Sequence, residues 1–337
     1  MNRRISTAIV GVGFMGGLHA EVLRDHPLAK LDWVVDTSEA RARQVAEQCG
    51  ANWATNLDDI LVSSDVRAVV VALPDLLHVE VTSALLMAGK AVLLEKPMAH
   101  SLAAAQSIRD AASVSGSPLM VGHLVRFDPR YRRAAELVRS GSIGKVIHAT
   151  ASRFCGPPAA PRPGNSVCFL VGVHDVDALQ WVTGQRITRV LAMARRNCLP
   201  GHEFDMDDVV YSLCEFEDGA LGALSFGWTL PSSHPWELEA GLTVTGSEGQ
   251  VRIDAVDDSL LTVSSGAAAA FEDSYYWPLA GGRRGGNLAR ELDHFLTSVV
   301  QQRDFEFSVN DACRAVAVND ALLASIDSGL WVEVEPV

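Results

Sequence analysis

Gly11-Val12-Gly13-Phe14-Met15-Gly16 follows the apolar run Ile5 to Val10 and precedes a helical pattern, Leu18, Val22, Leu23. A strand before the glycines and a helix after them separate a dinucleotide-binding turn from a chance glycine cluster. Gly11 permits the tight turn, and Gly13 lets backbone approach a pyrophosphate. Gly16 lets the helix pack close to the sheet. The helix N-terminus then offers free N–H groups and the positive end of its dipole to phosphates, with Phe14 and Met15 in its first turn. Such a turn needs an acid roughly 20 residues on, at the end of the next strand. Leu31-Asp32-Trp33-Val34-Val35-Asp36 supplies it. Asp36 is expected to accept hydrogen bonds from a ribose; the plainer reading is a helix cap before Glu39-Ala40-Arg41.

Outward from this stretch the strand–helix alternation continues. Val66 to Leu73 is a β-branched run that stops at Pro74, the mark of a strand buried on both faces. Leu76 to Ala88 reads as a helix closed by Gly89, and Ala91 to Leu94 as a strand ending in Glu95-Lys96-Pro97. Ser101 to Ser113 and Pro118 to Val121 complete the series. The pattern predicts an α/β chain whose first domain, residues 1–124, is a doubly wound parallel sheet. Ligands of such sheets bind at the carboxyl ends of the strands, where Gly11, Asp36, Pro74 and Lys96 fall.

Beyond residue 124 the period changes. A helix is expected over Pro129 to Arg139, another over Val171 to Trp181, and long strands from Ile187 to about Leu261. Asp218-Gly219 and Glu248-Gly249 are hairpin turns. The second domain, residues 125–337, is therefore expected to be α+β with a large open, mostly antiparallel sheet. Apolar residues on both alternations of its strands, such as Leu221, Ala223, Leu224 and Phe226, predict a homodimer or homotetramer through that sheet. Gly156-Pro157-Pro158 to Pro163-Gly164 reads as a loop, and Asn287 to Gln301 and the stretch from Ser308 as closing helices.

The 337 residues carry a net charge of −13. That balance argues against nucleic acid and anionic membrane as partners. The six cysteines show no metal-binding spacing and read as free thiols in a reducing cytoplasm. No metal site is expected, and the N-terminus leads into a strand and not into a signal peptide.

Three stretches combine with others in one order: the glycine turn with His19, then Glu95-Lys96-Pro97, then His174 with Asp177. Leu73-Pro74 with His78, Gly122-His123 with Arg126-Phe127, Gly246-Ser247-Glu248-Gly249 and Glu291 to Phe295 fill the intervals. The whole resembles the Gfo/Idh/MocA oxidoreductases, a family that includes glucose–fructose oxidoreductase and inositol 2-dehydrogenase. The resemblance implies a Rossmann domain binding NAD or NADP and a hydride transfer at a hydroxyl of a sugar, sugar derivative or cyclitol. It implies catalysis by Lys96 and His174, substrate contacts by Asp177 and Arg126, and cofactor contacts at Leu73, Pro74, His78, Glu95 and Lys96 beside the glycine turn. The residue chemistry agrees. Histidine has the pKa of a base for a hydroxyl proton, and a lysine stabilises a developing alkoxide. Asp36 favours NAD over NADP by repelling a 2′-phosphate, with Arg41 and Arg43 near enough to moderate that effect. A structural histidine, a Lys96–Glu95 ion pair and a surface pair for Arg126 are the plainer readings.

One position departs from the family pattern. Leu170 stands four residues before His174, where the family places an aspartate. Two other classes share the fold: NAD-dependent glycoside hydrolases that oxidise their substrate transiently, and dinucleotide-sensing regulators. A sensor has no use for Lys96 or His174.

Overall fold

A computed structural model of the chain describes residues 4–157, 166–196, 198, 206–256, 259–263 and 269–337. Most of the expected proline-rich loop lies outside these residues. The chain forms two compact units, residues 1–124 with 275–313, and residues 125–274 with 314–337.

The first unit opens with β1 (Ile5–Val10), α1 (Phe14–Asp25), β2 (Ala29–Val35), α2 (Glu39–Cys49) and β3 (Asn52–Ala54). It continues with α3 (Asp58–Val62), β4 (Val66–Val71), α4 (His78–Met87), β5 (Ala91–Glu95), α5 (Leu102–Ser115) and β6 (Leu119–Gly122). The six strands form one parallel sheet in the order β3-β2-β1-β4-β5-β6. The order reverses between β1 and β4, which places a ligand crevice at their carboxyl ends. Local chemistry sets the helix limits. Ser38 and Ser101 accept hydrogen bonds from Arg41 N and Ala104 N as caps, and Gly50 and Gly116 close their helices at φ +68° and +66°. The core is the strand interiors; Val69, Val71, Val92, Leu93 and Leu94 are fully buried.

The second unit begins with α6 (Pro129–Arg139) and β7 (Val146–Cys155). A π-helical turn over Cys168–Gly172 then runs into α7 (Val173–Thr183). The strands β8 (Ile187–Arg195), β9 (Val209–Phe216), β10 (Leu221–Gly227), β11 (Leu238–Gly246) and β12 (Gln250–Asp254) follow. Two short ribbons pair β13 (Leu261–Thr262) with β14 (Ala270–Phe271) and β15 (Leu279–Ala280) with β16 (Arg283–Arg284); the second ribbon belongs to the first unit. The chain ends with α8 (Gly286–Gln301), α9 (Val309–Ser328) and β17 (Val332–Glu333). The larger sheet runs β12-β11-β7-β10-β9-β8-β17. It is antiparallel except where β10 lies parallel to β7. Both expected hairpins form, with Gly219 at φ +87° between β9 and β10.

The expected second domain, 125–337, needs one correction: residues 275–313 return to the first unit. The physical reason is α8. Its stripe of Leu288, Leu292, Phe295 and Leu296 is fully buried; the helix packs on α1. Arg284, just before it, donates to Glu21 of α1 at 2.7 Å.

Candidate active site

The glycine turn behaves as its residue types require. Gly11 sits at φ +85°, and a Cβ there would lie 2.4 Å from Ala72 O. A Cβ on Gly16 would lie 1.9 Å from Gly11 O, so α1 is held against the turn by the absence of a side chain. Gly13 is different: nothing lies within 4 Å of a Cβ built there. It caps α1 with no side-chain bond, and the first turn holds no acid. The open space and the uncapped N–H groups fit a pyrophosphate. Phe14, 71% exposed, meets Trp277 edge-on, with ring centroids 5.8 Å apart.

Asp36 is buried at the carboxyl end of β2. Its Oδ2 accepts from Val12 N at 3.0 Å, and its Oδ1 accepts from Ser38 N and from Arg41 Nη2, both at 2.8 Å. Burial pushes this carboxyl up. The Arg41 bond and the two backbone bonds outweigh that and hold it below the ordinary carboxylate range. A carboxylate has about four acceptor sites, so three bonds leave room for a ribose hydroxyl. Arg41 is mostly exposed and bonded to Asp36, whose charge opposes a 2′-phosphate. Asp36→Ser frees it. The expected result is a shift in the NADP-to-NAD affinity ratio by roughly 10- to 100-fold, the scale of one or two charge-assisted hydrogen bonds. Titration of both cofactors measures it, and an unchanged ratio would show that Asp36 does not set the preference.

Leu73, Pro74 and Lys96 follow the carboxyl ends of β4 and β5, as expected. His78 does not face outward. It is 1% exposed, with Nδ1 at 3.0 and 3.2 Å from the carbonyls of Pro97 and Met98 and Nε2 at 2.9 Å from that of Leu73. It therefore ties the Leu73 loop to the Pro97 loop, whose Lys96–Pro97 bond is cis. Burial pushes the His78 pKa down while the three carbonyls pull it the other way. Glu95 is the anchor for Lys96: its Oε2 accepts the Lys96 backbone N–H at 3.0 Å, and its Oε1 accepts from His19 Nε2 at 2.7 Å. Burial alone would raise the Glu95 pKa; His19 and Lys96 hold it below the ordinary range.

In the second unit, His174 is half-buried in the first turn of α7. The π-helical turn before it depends on Gly172, where a Cβ would lie 2.5–2.7 Å from ring atoms of Phe226, itself fully buried. Asp177 and Arg126 are brought together. Arg126 Nε donates to Oδ2 at 2.8 Å and Nη2 to Oδ1 at 2.6 Å, and the guanidinium lies 5.6 Å from the centroid of the Trp181 ring. Their side chains are 4% and 1% exposed. Both were expected at substrate; in this arrangement each spends its fork on the other. Asp175 is held likewise: Arg153 Nε and Nη2 donate to its two oxygens at 2.8 and 3.2 Å. Burial raises the Asp175 pKa and Arg153 offsets only part of that rise. The acids flanking His174 in sequence are thus both committed to arginines.

Sequence reasoning did not find the Arg153–Asp175 pair, because residues 22 apart carry no periodic signal for each other. It noted Glu291 only as part of a motif. A signal existed: Glu291 lies on the same helical stripe as Leu288, Leu292 and Phe295. Among the described residues no cluster of three or more potential metal ligands occurs, and no helix is long and apolar enough to cross a membrane.

Residues 5–123 match the model of an oxidoreductase family with an NAD-binding Rossmann fold, and residues 131–252 match the GFO/IDH/MocA C-terminal domain. An inositol 2-dehydrogenase of Rubrobacter xylanophilus is 28% identical over 99% of this chain and 94% of its own length. A scyllo-inositol 2-dehydrogenase (NAD(+)) of Bacillus subtilis is 28% identical over 81% of this chain and 80% of its own. Among solved structures, GenD2 from gentamicin A biosynthesis, in complex with NAD, superposes with a TM-score of 0.85 at 29% identity, covering 99% of this chain and 97% of that one. The chain belongs to the GFO/IDH/MocA family of NAD-binding oxidoreductases.

Proposed function

We propose that this oxidoreductase moves a hydride between NAD and a ring hydroxyl of a cyclitol, sugar or sugar derivative. The observation that carries the reading is the first unit's own layout. One parallel sheet presents the open Gly13 turn, the buried Asp36 and the Glu95-anchored Lys96 at its carboxyl edge. The likeness to inositol dehydrogenases over almost the whole chain supports the substrate class. Gly11, Gly13, Gly16 and Asp36 would hold the dinucleotide, which supplies the acceptor for the hydride. His174 takes the hydroxyl proton as general base. Lys96 stabilises negative charge as it grows on a substrate oxygen. The Arg126–Asp177 pair holds α7 in place. A panel of cyclitols, sugars and sugar acids, assayed for NADH formation, tests the reading; absence of turnover across the panel in both directions would count against the substrate class.

Leu170 makes the proton route unusual. No acid stands at 170, and Asp175 and Asp177 are bound to arginines. Leu170→Asp adds a negative charge one turn before His174, and such a charge favours imidazolium. The acidic limb of the kcat/KM profile should move to higher pH. An unmoved limb in a folded variant would mean that residue 170 does not set the surroundings of His174.

We also propose a cytoplasmic homo-oligomer built on the second unit's sheet. The outward alternation of that sheet carries Met193, Tyr211, Leu213 and Leu221, each more than half exposed, while Leu224 and Phe226 point inward and are buried. An apolar face of this kind is normally covered by a partner. The cysteines among the described residues are free, in keeping with a reducing compartment. Light scattering at micromolar concentration should give a dimer or tetramer, and Leu213→Glu should shift it toward monomer. A wild-type monomer contradicts the assembly.

A further inference from the structure

Glu291 is a charged residue that the chemistry above leaves unused. It is 0% exposed on α8, among Leu288, Leu292 and Phe295. Neither of its carboxyl oxygens has a hydrogen-bond partner among the described residues. An ionised carboxylate in such a place is costly, whereas the neutral acid is far cheaper.

A glycine decides where this carboxyl lies. Gly122 ends β6 and pairs directly with Glu95 at the end of β5. A Cβ on Gly122 would lie 2.7 Å from Glu291 Oε1. The Glu291 carboxyl therefore fills the space that a side chain at 122 would take, in the register position beside Glu95. Glu95 is already committed as a carboxylate, accepting from His19 Nε2 and the Lys96 backbone N–H. Two neighbouring carboxyls away from water share a proton instead of both ionising.

We infer that Glu291 is a positioning residue, a carboxyl kept protonated beside Glu95 so that the pair carries one negative charge and Glu95 stays on the Lys96 backbone. The inference rests on the reading of Lys96 as catalytic. Burial, and then the charge of Glu95, push the Glu291 carboxyl well above its ordinary value. The other titratable or charged groups on these elements are His19, Glu21, Arg24 and Asp25 on α1, Lys96 after β5, His123 after β6, and Arg290, Asp293 and His294 on α8 itself. The sign follows from proton linkage. The folded state holds this proton where the unfolded chain has released it. Its contribution to stability is therefore present in full below the ordinary carboxylate range and is lost as pH rises through the raised pKa of Glu291. Over the same range a second negative charge repels Glu95 and loosens the Lys96 backbone.

The test compares full-length wild type, Glu291→Gln and Glu291→Ala, each with NAD. Gln keeps the shape and stays neutral at every pH. The infrared difference spectrum of wild type minus Gln should show a protonated-carboxyl carbonyl band at neutral pH. The unfolding midpoint and turnover of Gln should fall less than those of wild type between mildly acidic and alkaline pH. Ala should lower kcat about tenfold at little change in KM, a small misplacement of a catalytic group, and Gln should restore it. Absence of the carboxyl band overturns the inference, as does a Gln variant whose unfolding and turnover decline with pH as in wild type. If Ala does not fold, the comparison of wild type with Gln still decides. The spectral and unfolding arms do not use turnover, so a Lys96→Ala variant that keeps its turnover would overturn the catalytic reading of Lys96 while leaving the protonation of Glu291 measurable on its own.

Discussion

Lys96→Ala and His174→Ala each lose turnover by about 10² or more, while NAD affinity stays within a few fold of wild type. That scale is what one lost acid–base or electrostatic group costs. The expectation has a structural basis in each unit. The Lys96 backbone is fixed by Glu95 and the cis-proline loop is clasped by His78, so neither anchor depends on the lysine side chain. His174 is half-buried at the start of α7, whose position is secured by Arg153–Asp175 and Arg126–Asp177 without it. The fold should survive both substitutions, and circular dichroism with cofactor titration checks that it does. Turnover close to wild type in either variant removes that residue from the site.

Breaking a buried arginine–aspartate pair has the other large effect. Arg153→Ala leaves Asp175, 0% exposed, with its charge uncompensated. Removal of one partner of such a pair costs about 3–5 kcal/mol, a large share of the stability of an ordinary domain. The midpoint of urea unfolding should drop accordingly. The double variant Arg153→Met with Asp175→Leu should recover most of the loss, because well-packed apolar residues often replace a buried ion pair at little cost. Equal destabilisation in the single and double variants would mean that packing around β7 and α7, and not the orphaned charge, carries the effect.

The Rossmann sheet was legible because its signals are local. The glycine turn, the acid at Asp36 and the β-branched strands each sit within a few residues of the feature they specify. The family resemblance added Lys96 and His174 for the same reason, as short motifs in order. What escaped was pairing at a distance. The stripe on α8 says that one helix face is buried but not that it is buried on α1, so residues 275–313 were assigned to the wrong unit. Arg126 and Asp177 were each visible as polar residues suited to a substrate, yet 51 positions separate them and no sequence period links them. The turn before His174 is similar. Gly172 stands two residues before His174, and its need for closeness to the Phe226 ring could be read only from the packed sheet.

The central claim is hydride transfer from a carbinol carbon to the bound nicotinamide. The most direct measurement uses a cyclitol carrying deuterium on the carbon that bears the reacting hydroxyl, incubated with NAD and this protein, with mass analysis of the recovered cofactor. The account predicts deuterated NADH from the wild-type protein and label transfer slower by about 10² or more from Lys96→Ala or His174→Ala. Unlabelled NADH formed from that cyclitol, or equal label transfer by the wild type and both variants, would contradict it.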